Sequence, residues 1–273
     1  MSFKIIENVF ELNYLLNKLT VKDIMIKDVK TTYIKGLLTL TLADESSDAS
    51  WYEEATPTAD GTETFRQLSL GGCELARKIR ITYKLAEMAV QDFITYIVEM
   101  MAKKTGQALA IGVVSGNGQR PGYAAEPTGI LTTLAKSENS DQVIATGITE
   151  MNLAAAMGKI PDNYSPKWYA NRQTIWGALY GIKNANGDSI MVADPINGGV
   201  YKIFGVPVIE EAAIPAGQVL LSDAYETYHL NFNKQIMLER GKNIETRHHI
   251  FTGYAIADGA VVAPKASVLV KNA

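Results

Sequence analysis

The 273-residue sequence predicts an α+β fold, and three observations carry that prediction. A helical repeat runs from Leu85 to Lys104, a period-two repeat occupies Leu38 to Leu42 and again Leu75 to Ile81, and short helical and strand patterns alternate after Thr132. In the helical stretch Leu85, Met88, Ala89, Asp92, Phe93, Tyr96, Ile97, Met100, Met101 and Lys104 share one face, all apolar except Asp92 and Lys104. At a rise of ~1.5 Å per residue this helix is about 30 Å long and spans a domain.

From the N-terminus, Val9, Leu12, Leu15, Leu16 and Leu19 predict a short helix. Leu38, Leu40 and Leu42 alternate with Thr39 and Thr41, which predicts a strand with one apolar face. A polar, acidic excursion from Asp44 to Glu63 follows, and the chain returns through FRQLSL and ELARKIRITYKL, giving a long two-stranded arm. A lone ribbon has two open edges and is marginal in water, so the arm implies a neighbouring subunit; the alternative is an ordinary hairpin folded onto its own domain. After the long helix, Gly116, Gly118, Pro121, Gly122, Pro127 and Gly129 mark a turn-rich loop, with an apolar strand reaching Leu131.

Thr149 is positioned to cap a helix over Glu150 to Gly158, and Asn171 a helix over Arg172 to Ile182. Asn184 to Asp188 carries the Asn-Gly signal of a tight turn. Strands are expected at Ser189 to Ala193, Gly205 to Ile209, Val219 to Ser222 and Gln235 to Glu239. Asp258-Gly259 reads as a hairpin turn, after which Ala266 to Val270 rejoins the sheet beside the long helix. Without an internal repeat, low-complexity tract or linker, the parts are expected to behave as one rigid tile.

The net charge of −3 with no basic block gives no sign of a grip on nucleic acid. The single cysteine, Cys73, excludes an intramolecular disulfide and fits a reducing cytoplasm. No run of about eighteen apolar residues is present, and the N-terminus lacks the small-residue cleavage site of a signal peptide. The loop at Gly116-Asn117-Gly118 fails the dinucleotide fingerprint, because Pro121 stands where the third glycine belongs, and it lacks the G-K-S/T of a phosphate loop. A turn or subunit-contact loop is the better reading. Adjacent His248 and His249 point to opposite faces of a strand, His229 stands alone and Cys73 is distant, so structural roles outweigh metal ligation. No catalytic, cofactor or metal residues are assigned. Glu53 and Glu54 sit beside Trp51 on a polar arm, where nothing separates their pKa values for acid–base work. They read as a solvated face meeting basic residues of a neighbour, with Trp51 as anchor and Arg77, Lys78 and Arg80 as candidate partners.

Several short motifs also occur in a fixed order: Ala49, Ser50, Trp51 and Glu54 as A-x-W-x-x-E; the helix and G-x-G loop; Pro127, Gly129, Ile130 and Leu131 as P-x-G-I-L; Trp168 to Thr174 as W-x-x-N-x-x-T; Gly205 to Val208 as G-x-P-V. Leu221 to Tyr228 looks like a G-D-x-x-x-Y segment, with Ser222 in place of the usual glycine and Tyr228 one position further on. Together they resemble the tailed-phage major capsid proteins of the Hong Kong 97 fold. The resemblance implies a peripheral domain with a spine helix on a β-sheet (1–38, 71–130 and 224–273), an extended β-hairpin loop (39–70) lying over an adjacent subunit, and an axial domain of mixed sheet and helices (131–223). It implies a structural protein, not an enzyme, that assembles with itself as pentamers and hexamers into an icosahedral virion shell in the host cytoplasm. The shell encloses double-stranded DNA without specific binding, alongside a scaffolding protein, a portal and decoration proteins, and no membrane. Intersubunit contacts are expected from Trp51, Glu53, Glu54, Arg77, Lys78, Arg80, Asn117 and Arg120.

Some members join an arm lysine to a neighbour's asparagine. No lysine lies between Lys35 and Lys78 here, which predicts a shell without such cross-links. Met1 stands a few residues before the first helix, which points to a separate scaffold or a processed chain. A bacterial encapsulin-type nanocompartment shell and a soluble α+β enzyme are the alternative readings.

Overall fold

The structure of the protein, a computed structural model, describes residues 25–46, 51, 63–88, 92–118, 125–184, 186–194 and 200–272. The helix expected from Val9 to Leu19 lies outside them. The chain runs α1 (Met25–Asp28), β1 (Lys30–Thr32), β2 (Leu38–Ser46), β3 (Glu63–Leu70), β4 (Cys73–Thr82), α2 (Tyr83–Met88), α3 (Asp92–Ser115), α4 (Ile130–Leu134) and β5 (Val143–Ile144). It continues through α5 (Glu150–Lys159), β6 (Lys167–Ala170), α6 (Arg172–Gly177), β7 (Met191–Asp194), β8 (Val200–Ile203), β9 (Val206–Glu210), β10 (Gln218–Ser222), α7 (Ala224–Thr227), β11 (Tyr228–Asn243), β12 (His248–Val261) and β13 (Ser267–Lys271). These strands form a four-stranded sheet ordered β1-β11-β12-β4, a seven-stranded sheet ordered β5-β13-β10-β6-β9-β8-β7, and the isolated pair β2-β3.

The centre of the seven-stranded sheet is apolar on both faces. Val219 and Leu221 of β10, Val268 and Val270 of β13, and Trp168 and Ala170 of β6 pack with Leu153 and Ala156 of α5 and Ile175 of α6. The intervening residues Leu220, Leu269 and Tyr169 face the other way, into a core with Val113 and Val114 of α3 and Tyr228 and Leu230 of β11. That second core joins the two large sheets. The expected caps are present: Thr149 Oγ1 accepts from Asn152 N at 3.3 Å and Asn171 Oδ1 from Thr174 N at 2.7 Å. The helix after Asn171 is shorter than expected. Gly177, a poor helix former, precedes a break at Ala178, and a 3₁₀ turn at Leu179–Gly181 swings Leu179 into the core. The tight turn forms, with Asn184 Oδ1 accepting from Asn186 N and Asp188 N and with Gly187 at φ +88°.

The long helix expected from Leu85 to Lys104 is helical in α2 up to Met88 and again in α3 from Asp92, and it ends later than its periodicity suggests, at Ser115. α3 has 24 residues, about 36 Å at ~1.5 Å per residue. Ile97 and Met101 pack on Ile81 of β4 and Phe251 of β12, while Leu109, Val113 and Val114 enter the shared core. Leu85 and Tyr96 are exposed. The apolar segment after Gly129 is the short helix α4 rather than a strand, its Ile130, Leu131 and Leu134 buried. The glycines before it are needed for close approach: a Cβ on Gly129 would stand 2.5 Å from Gly116 N, and one on Gly116 2.2 Å from Pro127 O. Gly129 N donates to Gly116 O at 2.9 Å, so the Gly-x-Gly and Pro-x-Gly-Ile-Leu segments are two sides of one backbone contact.

Three further expectations are corrected. The return strand of the arm is two strands: β3 pairs with β2, and β4 pairs with β12, because Gly71 and Gly72, the latter at φ +95°, redirect the chain between them. Asp258-Gly259 lies inside β12, and the β11–β12 hairpin turns instead at 244–247, with Arg247 at φ +53°. Gly259 is small for another reason, since a Cβ there would stand 2.6 Å from the Tyr228 ring. The last strand, β13, joins the seven-stranded sheet between β5 and β10 rather than the sheet beside the long helix. Its alternating Val268, Leu269 and Val270 fit a sheet buried on both faces.

Candidate assembly surface

β2 and β3 pair from Leu38↔Leu70 to Ser46↔Glu63, and among the described residues neither has a second strand partner. Leu38, Leu40 and Leu42 are only half-buried, Phe65 is exposed, and Trp51, beyond β2, is fully exposed. A large indole open to water, and a ribbon that gains little from its own fold, are surfaces suited to apolar contact. The ribbon segment is also uniformly acidic. Between Lys35 and Arg66 the chain holds Asp44, Glu45, Asp48, Glu53, Glu54, Asp60 and Glu63 and no lysine or arginine.

Two buried polar groups hold the roots of this arm. At the return root Asp258 Oδ2 accepts from Gly71 N at 2.9 Å and Gly72 N at 3.2 Å, and its Oδ1 accepts from Gly259 N at 2.8 Å. Next to it, burial first and the Asp258 carboxylate second push the Cys73 thiol up to about 12. Arg66 Nη2 donates to Val262 O at 3.0 Å, tying the ribbon to the end of β12. At the entering root Asn231 Oδ1 accepts from Ile34 N at 2.9 Å while its Nδ2 donates to Ile34 O at 3.0 Å, and Asn233 Nδ2 donates to Gly36 O at 2.6 Å. Amide side chains here take over the ladder that β1 forms with β11 only from Lys30↔His229 to Thr32↔Asn231.

The residues expected at the surface are dispersed. Glu53, Glu54 and Arg120 lie outside the described residues. Arg77, Lys78 and Arg80 are not on the arm but on β4, the edge strand of the four-stranded sheet, with Lys78 and Arg80 exposed and Arg77 half-buried. No contact joins them to the fully exposed Trp51 within one chain. Asn117 closes the base of the glycine-rich loop: its backbone N donates to Glu126 Oε2 at 3.2 Å, its side-chain Nδ2 lies 3.4 Å from the same oxygen, and it bridges to Thr128. Among the described residues no group of three His, Cys, Asp or Glu side chains could hold a metal ion, and no helix is long and apolar enough to cross a membrane.

The family model for the phage capsid family matches residues 2–272, nearly the whole chain. The chain belongs to that family. This capsid protein is similar in fold to the capsid of an empty GTA particle, with a TM-score of 0.77 at 18% identity over 92% of this chain and 90% of that one. It is similar to a chain of Mycobacterium phage Bobi, with a TM-score of 0.67 at 15% identity over 91% and 90% of the two chains. A chain of the satellite phage P4 procapsid has a TM-score of 0.65 at 14% identity over 99% and 92%. No curated protein sequence matches. The capsid protein is thus a structural protein of the virion shell, and its fold is that of the tailed-phage major capsid proteins.

Sequence reasoning missed the root groups of this capsid protein. The sequence reading gives Asn231 and Asn233 no role, takes Asp258 as a turn residue and takes His229 as structural. The signal was present in HLNFN, where polar side chains at i, i+2 and i+4 interrupt an otherwise apolar strand. Ser222 forms a buried hydroxyl cluster with Ser267 at 2.7 Å and Thr227 at 3.1 Å. It satisfies its own polar atom at the start of α7.

Proposed function

We propose that this protein closes into an icosahedral shell of pentamers and hexamers around double-stranded phage DNA, with the β2–β3 arm of each subunit lying over its neighbour. The observation that carries the reading is the arm itself, a ribbon with no third strand among the described residues, together with the fully exposed Trp51 that follows β2 in the chain. Such a ribbon is stable when a second copy covers it. Membership of the phage capsid family supports the reading, as does a similar GTA capsid computed with C5 symmetry. In this reading Trp51, Glu53 and Glu54 meet a neighbour's Lys78 and Arg80, with Arg77, Asn117 and Arg120 near the same contact. The four-stranded sheet with α3 forms the peripheral part and the seven-stranded sheet, β13 included, the axial part. Net charge of −3 suits a container that releases its DNA. Assembly takes place in the host cytoplasm with a scaffolding protein and a portal, and decoration proteins bind the finished shell.

Light scattering with negative-stain microscopy on the purified protein, followed by a nuclease-protection assay on particles, tests this. Closed particles or rings of five or six, with protected DNA in native particles, are expected. Particles that protect protein cargo and no DNA would move the reading to a nanocompartment. A monomer at every concentration and salt, with scaffold supplied, would overturn it.

A further inference from the structure

We propose that His229, Asn231 and Asn233 form an acid-sensitive strap that holds the lead-in to the arm, Val29 to Gly36, against β11. The three side chains occupy alternate positions of one strand and so share a face. Their hydrogen bonds run in one direction. Thr32 Oγ1 donates to Asn231 Oδ1 at 2.9 Å, which uses its only proton, so the 3.0 Å contact between Thr32 Oγ1 and His229 Nε2 has the imidazole as donor. Asn231 Nδ2 then donates to Ile34 O at 3.0 Å and to Asn233 Oδ1 at 3.1 Å, and Asn233 Nδ2 donates to Gly36 O. The chain from His229 to Gly36 is continuous and fixes the neutral tautomer protonated at Nε2. On the opposite side Tyr33 stacks on Phe232 at 5.6 Å, so the segment has one titratable fastening among neutral ones.

A proton taken from water onto His229 Nδ1 places a positive charge in a buried position. The charged group facing it from β1 is Lys30, whose Nζ lies 6.0 Å from the Tyr225 ring of α7. Its cross-strand neighbour on β12 is Ala260, and Glu226 of α7 is exposed, so no carboxylate compensates. Burial first and Lys30 second lower the His229 pKa below its usual value. A depressed folded pKa means that the strap's stability is complete above about pH 6.5 and is lost progressively as pH falls from there to the folded value. Below that point the lead-in detaches while the two large cores, which hold no such group, stay packed.

The test is peptide-resolved hydrogen exchange on the full chain between pH 7.5 and 5.0, corrected for intrinsic rate. Protection of the peptide 30–37 is expected to fall by up to about tenfold per pH unit between about pH 6.5 and the folded pKa and to level off below it, while a control peptide in β10 keeps its protection. His229→Gln, whose amide still donates to Thr32 but does not titrate, is expected to hold protection flat across the range. Wild-type protection that persists at pH 5.0, or an unchanged step in His229→Gln, overturns the strap. If that variant fails to fold, Thr32→Val serves instead: it breaks the relay, and an unaltered pH step there overturns the proposal equally. That a freed lead-in alters association rests on the shell reading of the arm; the exchange step is read on the subunit whether or not particles form.

Discussion

Asn231 and Asp258 stand directly opposite each other in the β11–β12 register, and each grips a different root of the arm. Asn231 takes the backbone of Ile34 on the way out, and Asp258 takes Gly71 and Gly72 on the way back. Both are buried, so their hydrogen bonds form away from competing water. The arm therefore leaves the body from a single cross-strand pair, which sets its direction.

Replacing Asp258 with Ala strips the acceptor from three backbone N–H groups at once. Losing charge-assisted bonds in a buried site is expected to lower subunit stability by about 3 kcal/mol. Urea unfolding followed by circular dichroism measures this, and a change under about 1 kcal/mol would show that water replaces the carboxylate.

Gly129→Ala and Gly158→Ala should have opposite signs. At Gly129 the new methyl meets the backbone of Ser115 and Gly116, and the melting temperature is expected to drop by the equivalent of about 3 kcal/mol or more. At Gly158, inside α5 with open space around its Cβ position, alanine is expected to raise stability by about 0.5–1 kcal/mol. Thermal melts of the two variants side by side provide the comparison.

Trp51→Ala removes a side chain that touches little within its own subunit. Subunit stability is expected to stay within about 0.5 kcal/mol. Assembly, followed by light scattering, is expected to need higher protein concentration. Equal assembly of variant and wild type would remove Trp51 from the contact.

Cys73 is expected to resist thiol reagents. With its pKa pushed up to about 12, the thiolate fraction at pH 8 is on the order of 10⁻⁴, and the side chain is buried besides. Ellman's reagent should react with the native chain slowly and with the urea-unfolded chain within minutes. Reaction at equal rates would mean that the return root opens readily.

Local chemistry was legible in the sequence wherever the signal and its partner are close together. The alternation at Leu38 to Leu42, the caps at Thr149 and Asn171 and the turn at Asn184 to Asp188 all depend on neighbours within a few residues. Pairing at a distance was not legible. The alternation in β4 is genuine, but nothing in Arg77 to Ile81 names β12, some 170 residues later, as the partner. Asp258-Gly259 has the composition of a turn, yet its glycine answers to the Tyr228 ring and its aspartate to Gly71 and Gly72. The helix outran its prediction because Gly106 and Gly112 weaken the local pattern, while packing against Pro127 and the shared core holds the extra turns. Ordered motifs reached the family where periodicity reached only the fold class.

α3 belongs to two cores, its first half lying on β4 and β12 and its second half entering the core between the sheets. It is a crossbeam. Close-packed interiors have low compressibility, so twisting one sheet against the other requires bending about 36 Å of helix or opening packed apolar surface at both ends. A pull on the arm, whose roots are fastened to the same sheet as the beam, is carried as load into the whole subunit instead of being absorbed at a joint.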